Sequence, residues 1–135
     1  MATRDKEELI ADFVNRRVWA VVGASQDRNK YGNRVFRSLR QAGYVVYPVN
    51  PNCTEVEGAE TYARLADLTE TPEVVNLVVP PAVTEQIVRQ AHELGLTRIW
   101  MQPGAESDEA IAYCEERGMQ VVYDACAMVE KKEWD

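Results

Sequence analysis

Short apolar runs alternate with amphipathic helical patterns along almost the whole chain, and this alternation constrains the fold more than any other feature. Five runs read as strands: Val18 to Val22, Tyr44 to Val49, Val74 to Val79, Arg98 to Met101 and Gln120 to Tyr123. They are apolar almost throughout, the pattern of strands covered on both faces. Between them apolar residues recur at helical spacing. Leu9, Ile10, Phe13 and Val14 mark a helix over Lys6 to Asn15, and Val35, Phe36 and Leu39 mark one over Asn33 to Gln41. Ile87, Val88, Ala91 and Leu94 are the inward residues of a helix over Thr84 to Leu94. A further helix runs from the candidate N-cap Ser107 to Arg117, and a last one covers Cys126 to Lys132. Gly43, Gly95 and Gly118 stand where helices end. A short helical segment is expected near Tyr62 to Leu65, and a short edge strand near residues 56–62. Strand alternating with helix predicts a parallel sheet between two helical layers, joined by right-handed crossovers. The expected fold is a doubly wound, Rossmann-like α/β/α domain spanning residues 1–135, with the five strong strands in the order 2-1-3-4-5.

In such a sheet a ligand sits beyond the carboxyl ends of the strands, where the order reverses. Four loops are predicted to meet there: Gly23–Asn33, Asn50–Cys53, Val79–Val83 and Gln102–Gly104. The first is the most telling. The apolar run Val18 to Val22 stops at Gly23, a polar loop with Arg28 and Lys30 follows, and a helical pattern begins after Gly32. Strand, glycine loop and helix in that order aim backbone N–H groups at an anion, so a nucleotide or another phosphorylated ligand is expected.

Charge supports this. The chain carries a net −7, which argues against general nucleic-acid binding. Yet Arg16, Arg17, Arg28, Lys30, Arg34, Arg37 and Arg40 fall between residues 16 and 48 with Asp27 as the lone acid. A basic segment on an acidic chain suits a small polyanion. Cys53, Cys114 and Cys126 form no CxxC pair and His92 is the single histidine, so neither a zinc site nor a disulfide scaffold is expected. No apolar run approaches the roughly 20 residues of a membrane span. With no apolar leader at the start of the sequence, a cytoplasmic location is the expectation.

A dinucleotide site needs G-x-G-x-x-G and an acid after the second strand. Here Gly23-Ala24-Ser25 is followed by no glycine until Gly32, and Val49-Asn50-Pro51 offers no acid. An NAD(P)-binding redox sensor or small oxidoreductase is therefore the alternative rather than the first reading. No phosphate-binding G-x-x-x-x-G-K-[ST] motif occurs.

Val21-Val22-Gly23-Ala24-Ser25, Lys30-Tyr31-Gly32 and Tyr47-Pro48-Val49-Asn50-Pro51 together carry a resemblance, joined by Val79-Pro80-Pro81, Trp100-Met101-Gln102-Pro103-Gly104 and Asp124-Ala125-Cys126-Ala127-Met128-Val129-Glu130. In this order they resemble the small stand-alone CoA-binding domain proteins, which are similar to the N-terminal CoA-binding domain of the succinyl-CoA synthetase alpha subunit. The resemblance implies coenzyme A, free or acylated, as the ligand. It places Gly23, Ala24 and Ser25 against the phosphates, with Lys30, Tyr31, Gly32 and Asn33 continuing the cradle; Arg28 is expected at the site as a cation of the same loop. Asn50 and Pro51 would meet the nucleotide end. Val79, Pro80, Pro81 and Val83 would form an apolar wall, and Gln102 and Gly104 would line the last loop. Ala127 stands where the family usually has a bulkier aliphatic residue, and Pro103 removes one N–H donor.

The synthetases work through a phosphorylated histidine of another domain, so the resemblance implies a binder that does not itself form acyl-CoA. No catalytic residue is expected. His92 reads as a helix-surface residue and Cys114 as packing. Cys126, near the start of the last helix, and Cys53, in a ligand-facing loop, are the thiols to watch. Trp134 is expected to dock on the body or on a partner. A regulatory module that reports its bound ligand to a protein partner is compatible with the same site.

Overall fold

In the computed structural model, which describes residues 5–134, five parallel strands form one sheet between two helical layers. The strands are β1 (Val18–Val22), β2 (Val45–Val49), β5 (Val74–Leu77), β6 (Arg98–Met101) and β7 (Gln120–Val122), in the order β2-β1-β5-β6-β7. This is the predicted order. β1 is an interior strand and pairs in register with Val45–Val49 on one side and Val74–Leu77 on the other. Its last four residues are buried, as a strand covered on both faces requires.

One layer holds α1 (Lys6–Val14), α2 (Tyr31–Gln41) and α5 (Ala127–Glu130); the other holds α3 (Pro81–Glu93) and α4 (Asp108–Glu116). Beneath the first layer Trp19, Trp100 and Phe13 are fully buried, with ring centroids 5.6 and 6.2 Å apart. Each indole N–H finds a carbonyl, Trp19 that of Arg16 and Trp100 that of Ala125, so the large apolar rings are buried without an orphan donor. Trp134 docks on the body: its ring meets Tyr44 edge-on at 5.6 Å and its backbone N–H donates to the Ala42 carbonyl.

Some boundaries differ from the sequence reading. α2 begins at Tyr31, so Gly32 and Asn33 lie inside its first turn. α3 begins at Pro81 rather than Thr84, because a proline at the first helical position lacks only an N–H that the helix does not use. Pro81 and Val83 are thus helical. Leu94 is 44% exposed as the C-cap of α3 rather than part of its inward face. The expected edge strand at 56–62 is instead a small hairpin, β3 (Glu55–Val56) with β4 (Ala59–Glu60), followed by a single bridge from Tyr62 to Val49. The last helix is a single turn with Cys126 as its N-cap. Among the described residues no helix is long and apolar enough to cross a membrane.

Candidate functional site at the switch point

β1 ends between β2 and β5, and three backbones meet there at close range. The Gly23 N–H donates to the Val49 carbonyl at 2.9 Å, and Val78 N–H to the Val22 carbonyl at 2.8 Å. Gly23 has φ +100°, and a Cβ there would lie 2.1 Å from the Val78 oxygen. A Cβ on Gly32 would lie 2.1 Å from the Gly23 oxygen. Only two glycines let the first turn of α2 settle on the end of β1.

The start of α2 is uncapped. Its N-cap is Lys30, whose side chain makes no capping hydrogen bond. The start of α3 is uncapped as well, with Pro80 in that place. Both starts border a cavity of about 650 Å³. Gly23, Ser25, Lys30, Tyr31 and Gly32 wall it on the α2 side, and Asn50, Pro51 and Asn52 at the end of β2. Val79, Pro80 and Val83 give it an apolar wall, extended by Ile87. Among the described residues no acid, histidine or cysteine lines it. A second cavity, of about 290 Å³, shares Tyr31, Val79 and Pro80 with the first and is closed by Pro103, Gly104 and Ala105. The four predicted loops do meet.

The remaining expected residues support these walls from behind. Ala24 is fully buried, and its carbonyl accepts from the Asn50 amide at 2.8 Å. Asn33 is also buried; its amide donates to the Ser25 carbonyl at 2.7 Å and to Glu57 at 3.1 Å, bracing the loop. Arg28 turns away from the cavity toward Glu57, at 3.5 Å. Arg37 and Arg40 are likewise engaged, with Asn33 and with the Glu57 carbonyl. Pro81 starts α3 just outside the walls, and Gly104 lines only the second cavity.

Gln102 is fully buried and in neither wall. Its Oε1 accepts from the Ala127 N–H at 2.8 Å and from the Asn76 amide at 3.1 Å, which fixes the amide's orientation. Its Nε2 therefore faces Tyr31 Oη, at 2.6 Å, and Cys126 Sγ, at 3.3 Å. Tyr31 Oη donates to the same sulfur at 3.1 Å. Burial pushes the Cys126 thiol up, but hydrogen bonds from Tyr31, Gln102 and the Met128 and Val129 N–H groups outweigh it and hold the thiol below its ordinary value. Burial and the Cys126 contact push Tyr31 up to about 12. Cys114, buried without such donors, is pushed up to about 12 by burial. Cys53 is half-buried and outside both walls, and His92 is exposed, edge-on to Tyr113. Among the described residues no cluster of acids, histidines and cysteines could hold a metal.

Sequence reasoning missed part of the walls: Arg64 and Leu65 from the irregular segment after β4, and Gln86 and Gln90 on α3. On α3, residues 83, 86, 87 and 90 form one helical stripe toward the cavity. Its polar members were the available signal, because an apolar pattern alone cannot tell a core face from a cavity face.

A family model described as a CoA binding domain matches residues 17–132. The chain belongs to this family. Among the family's relatives, a conserved hypothetical protein of Pyrococcus furiosus is 41% identical and superposes with a TM-score of 0.82, over 85% of this chain and 99% of that one. The uncharacterized protein YneT of Bacillus subtilis is 27% identical over 82% of each chain. The alpha subunit of ADP-forming acetate–CoA ligase II of Pyrococcus furiosus is 28% identical over 84% of this chain, which spans only 27% of that subunit. As a CoA-binding domain, the chain thus corresponds to one portion of a larger ligase subunit and to stand-alone proteins of its own size.

Proposed function

We propose that this domain binds coenzyme A or an acyl-CoA and does not itself form the acyl-CoA bond. The observation that carries the reading is the uncapped start of α2, with Lys30 at its N-cap, opening over the Gly23 loop into the 650 Å³ cavity. Free first-turn N–H groups, a helix dipole and an ammonium suit a diphosphate. The Val79–Pro80–Val83 wall suits adenine or the pantetheine arm. The second cavity, which shares Tyr31, Val79 and Pro80 with the first, offers further space beside it for a long ligand. Family membership points the same way.

Calorimetric titration with coenzyme A, dephospho-coenzyme A and NAD at moderate salt tests the reading. Coenzyme A should bind at least about tenfold more tightly than NAD, a difference of about 1.4 kcal/mol. Preference for NAD, or no binding of any of the three, would sink it.

A further inference from the structure

Resting on the coenzyme A reading, we infer that Arg64 is the residue that recognises the ligand's ribose phosphate and so sets the preference for coenzyme A over its dephosphorylated form. In doubly wound sheets the nucleotide ribose lies beyond the end of the second strand, where an acid takes free hydroxyls and an arginine takes a phosphate. The end of β2 holds no acid here. Asn50 is the residue in that place, and its side chain is turned to the backbone: the amide donates to the Ala24 carbonyl and the oxygen accepts from the Asn52 N–H. No carboxylate stands there to grip a diol.

What the fold brings instead is a cation. Tyr62 continues the sheet past β2, its N–H donating to the Pro48 carbonyl at 3.0 Å and its carbonyl accepting from Asn50 at 2.8 Å. This bridge delivers Arg64, two residues later, to the end of β2. The turn Leu65–Asp67 then fixes the backbone, with the Asp67 N–H donating to the Arg64 carbonyl. Among the described residues Arg64 and Lys30 are the two cations in the cavity wall. They belong to different loops, as recognition of two separate phosphate groups demands. Among the described residues the Arg64 guanidinium is restrained by Asp67 alone, at 3.3 Å, in a pair whose arginine side chain is 70% exposed. Such pairs hold weakly, so a phosphate can take the guanidinium, which binds it through two parallel N–H donors.

The test is a matrix of calorimetric titrations at one salt concentration: wild type, Arg64→Gln, Asp67→Asn and Lys30→Ala, each with coenzyme A and with dephospho-coenzyme A. Arg64→Gln should weaken coenzyme A by about tenfold and leave dephospho-coenzyme A within about twofold. Asp67→Asn, which frees the guanidinium, should tighten coenzyme A selectively. Lys30→Ala should weaken both ligands by similar factors. If the wild type binds coenzyme A but Arg64→Gln weakens both ligands equally, or neither, Arg64 does not read the phosphate. If the wild type binds neither ligand, the coenzyme A reading fails and this inference fails with it.

Discussion

The helices of this domain start in two ways. α1 and α4 are capped from within: Asp5 accepts from the Glu8 N–H at 2.8 Å, and Ser107 from the Ala110 N–H at 3.2 Å. α2 and α3 carry Lys30 and Pro80 in the same position, neither making a capping hydrogen bond. The capped pair lies away from the cavity walls and the uncapped pair borders them. A cap satisfies orphan N–H groups that would otherwise be available to a ligand. At α2 the missing cap leaves first-turn N–H groups open to an anion, at some cost in intrinsic stability, whereas at α3 Pro81 brings no N–H and the Val83 N–H donates to the Pro80 carbonyl, so that start offers the cavity an apolar edge.

Four substitutions would break or sharpen this contrast. Gly32→Ala should have the largest effect. Its Cβ meets the Gly23 carbonyl, a backbone atom that cannot step aside, so a loss of about 3 kcal/mol is expected in denaturant unfolding. A loss under about 1 kcal/mol would show that the α2 start tolerates lifting off β1. Lys30→Asp should split stability from binding. It supplies the missing cap, raising stability by about 1 kcal/mol, and reverses the charge, weakening coenzyme A by about 100-fold. Parallel changes in both quantities would contradict the contrast. Ser107→Ala should cost about 1 kcal/mol and leave coenzyme A affinity unchanged.

The smallest effect concerns the Cys126 thiol. Because its pKa is lowered, its alkylation should set in at lower pH than that of an ordinary thiol, whereas buried Cys114 should not react in the folded protein. Tyr31→Phe removes one donor to the sulfur and should move the onset for Cys126 upward in pH, read by mass spectrometry of the alkylated peptide. An unchanged onset would mean that Tyr31 does not support the thiolate.

The sheet was legible because its strands are continuous apolar runs, a pattern that leaves few topologies once crossovers must be right-handed. Gly23 and Gly32 were legible for a related reason: glycine at a strand end and at a helix start has few other uses. Arg64 and Arg28 were not. Both are arginines in irregular segments, and what separates them is tertiary. The Tyr62 bridge carries one to the cavity, while Glu57 holds the other away from it. Gln102 was legible as a loop residue of the site but not in its role, because its orientation depends on Ala127 and Asn76, both about 25 residues distant. The start of α3 was misplaced by three residues because consecutive prolines stop a strand and begin a helix with equal ease.

The two helical layers also differ in how far along the chain their parts must travel. α3, β6 and α4 are neighbours in sequence, and the layer they build can gather locally. The opposite layer joins the two ends of the described chain: Lys6 Nζ donates to the Asp124 carbonyl 118 positions away, and Lys132 N–H donates to Tyr44 Oη across 88. Closing loops of that length costs entropy before any contact repays it, and the cost grows as the logarithm of the span. The α3–α4 side thus rests on contacts close in sequence, and the α1–α2–α5 side, with the Tyr31–Cys126 contact, depends on the longest loop closures in the described chain.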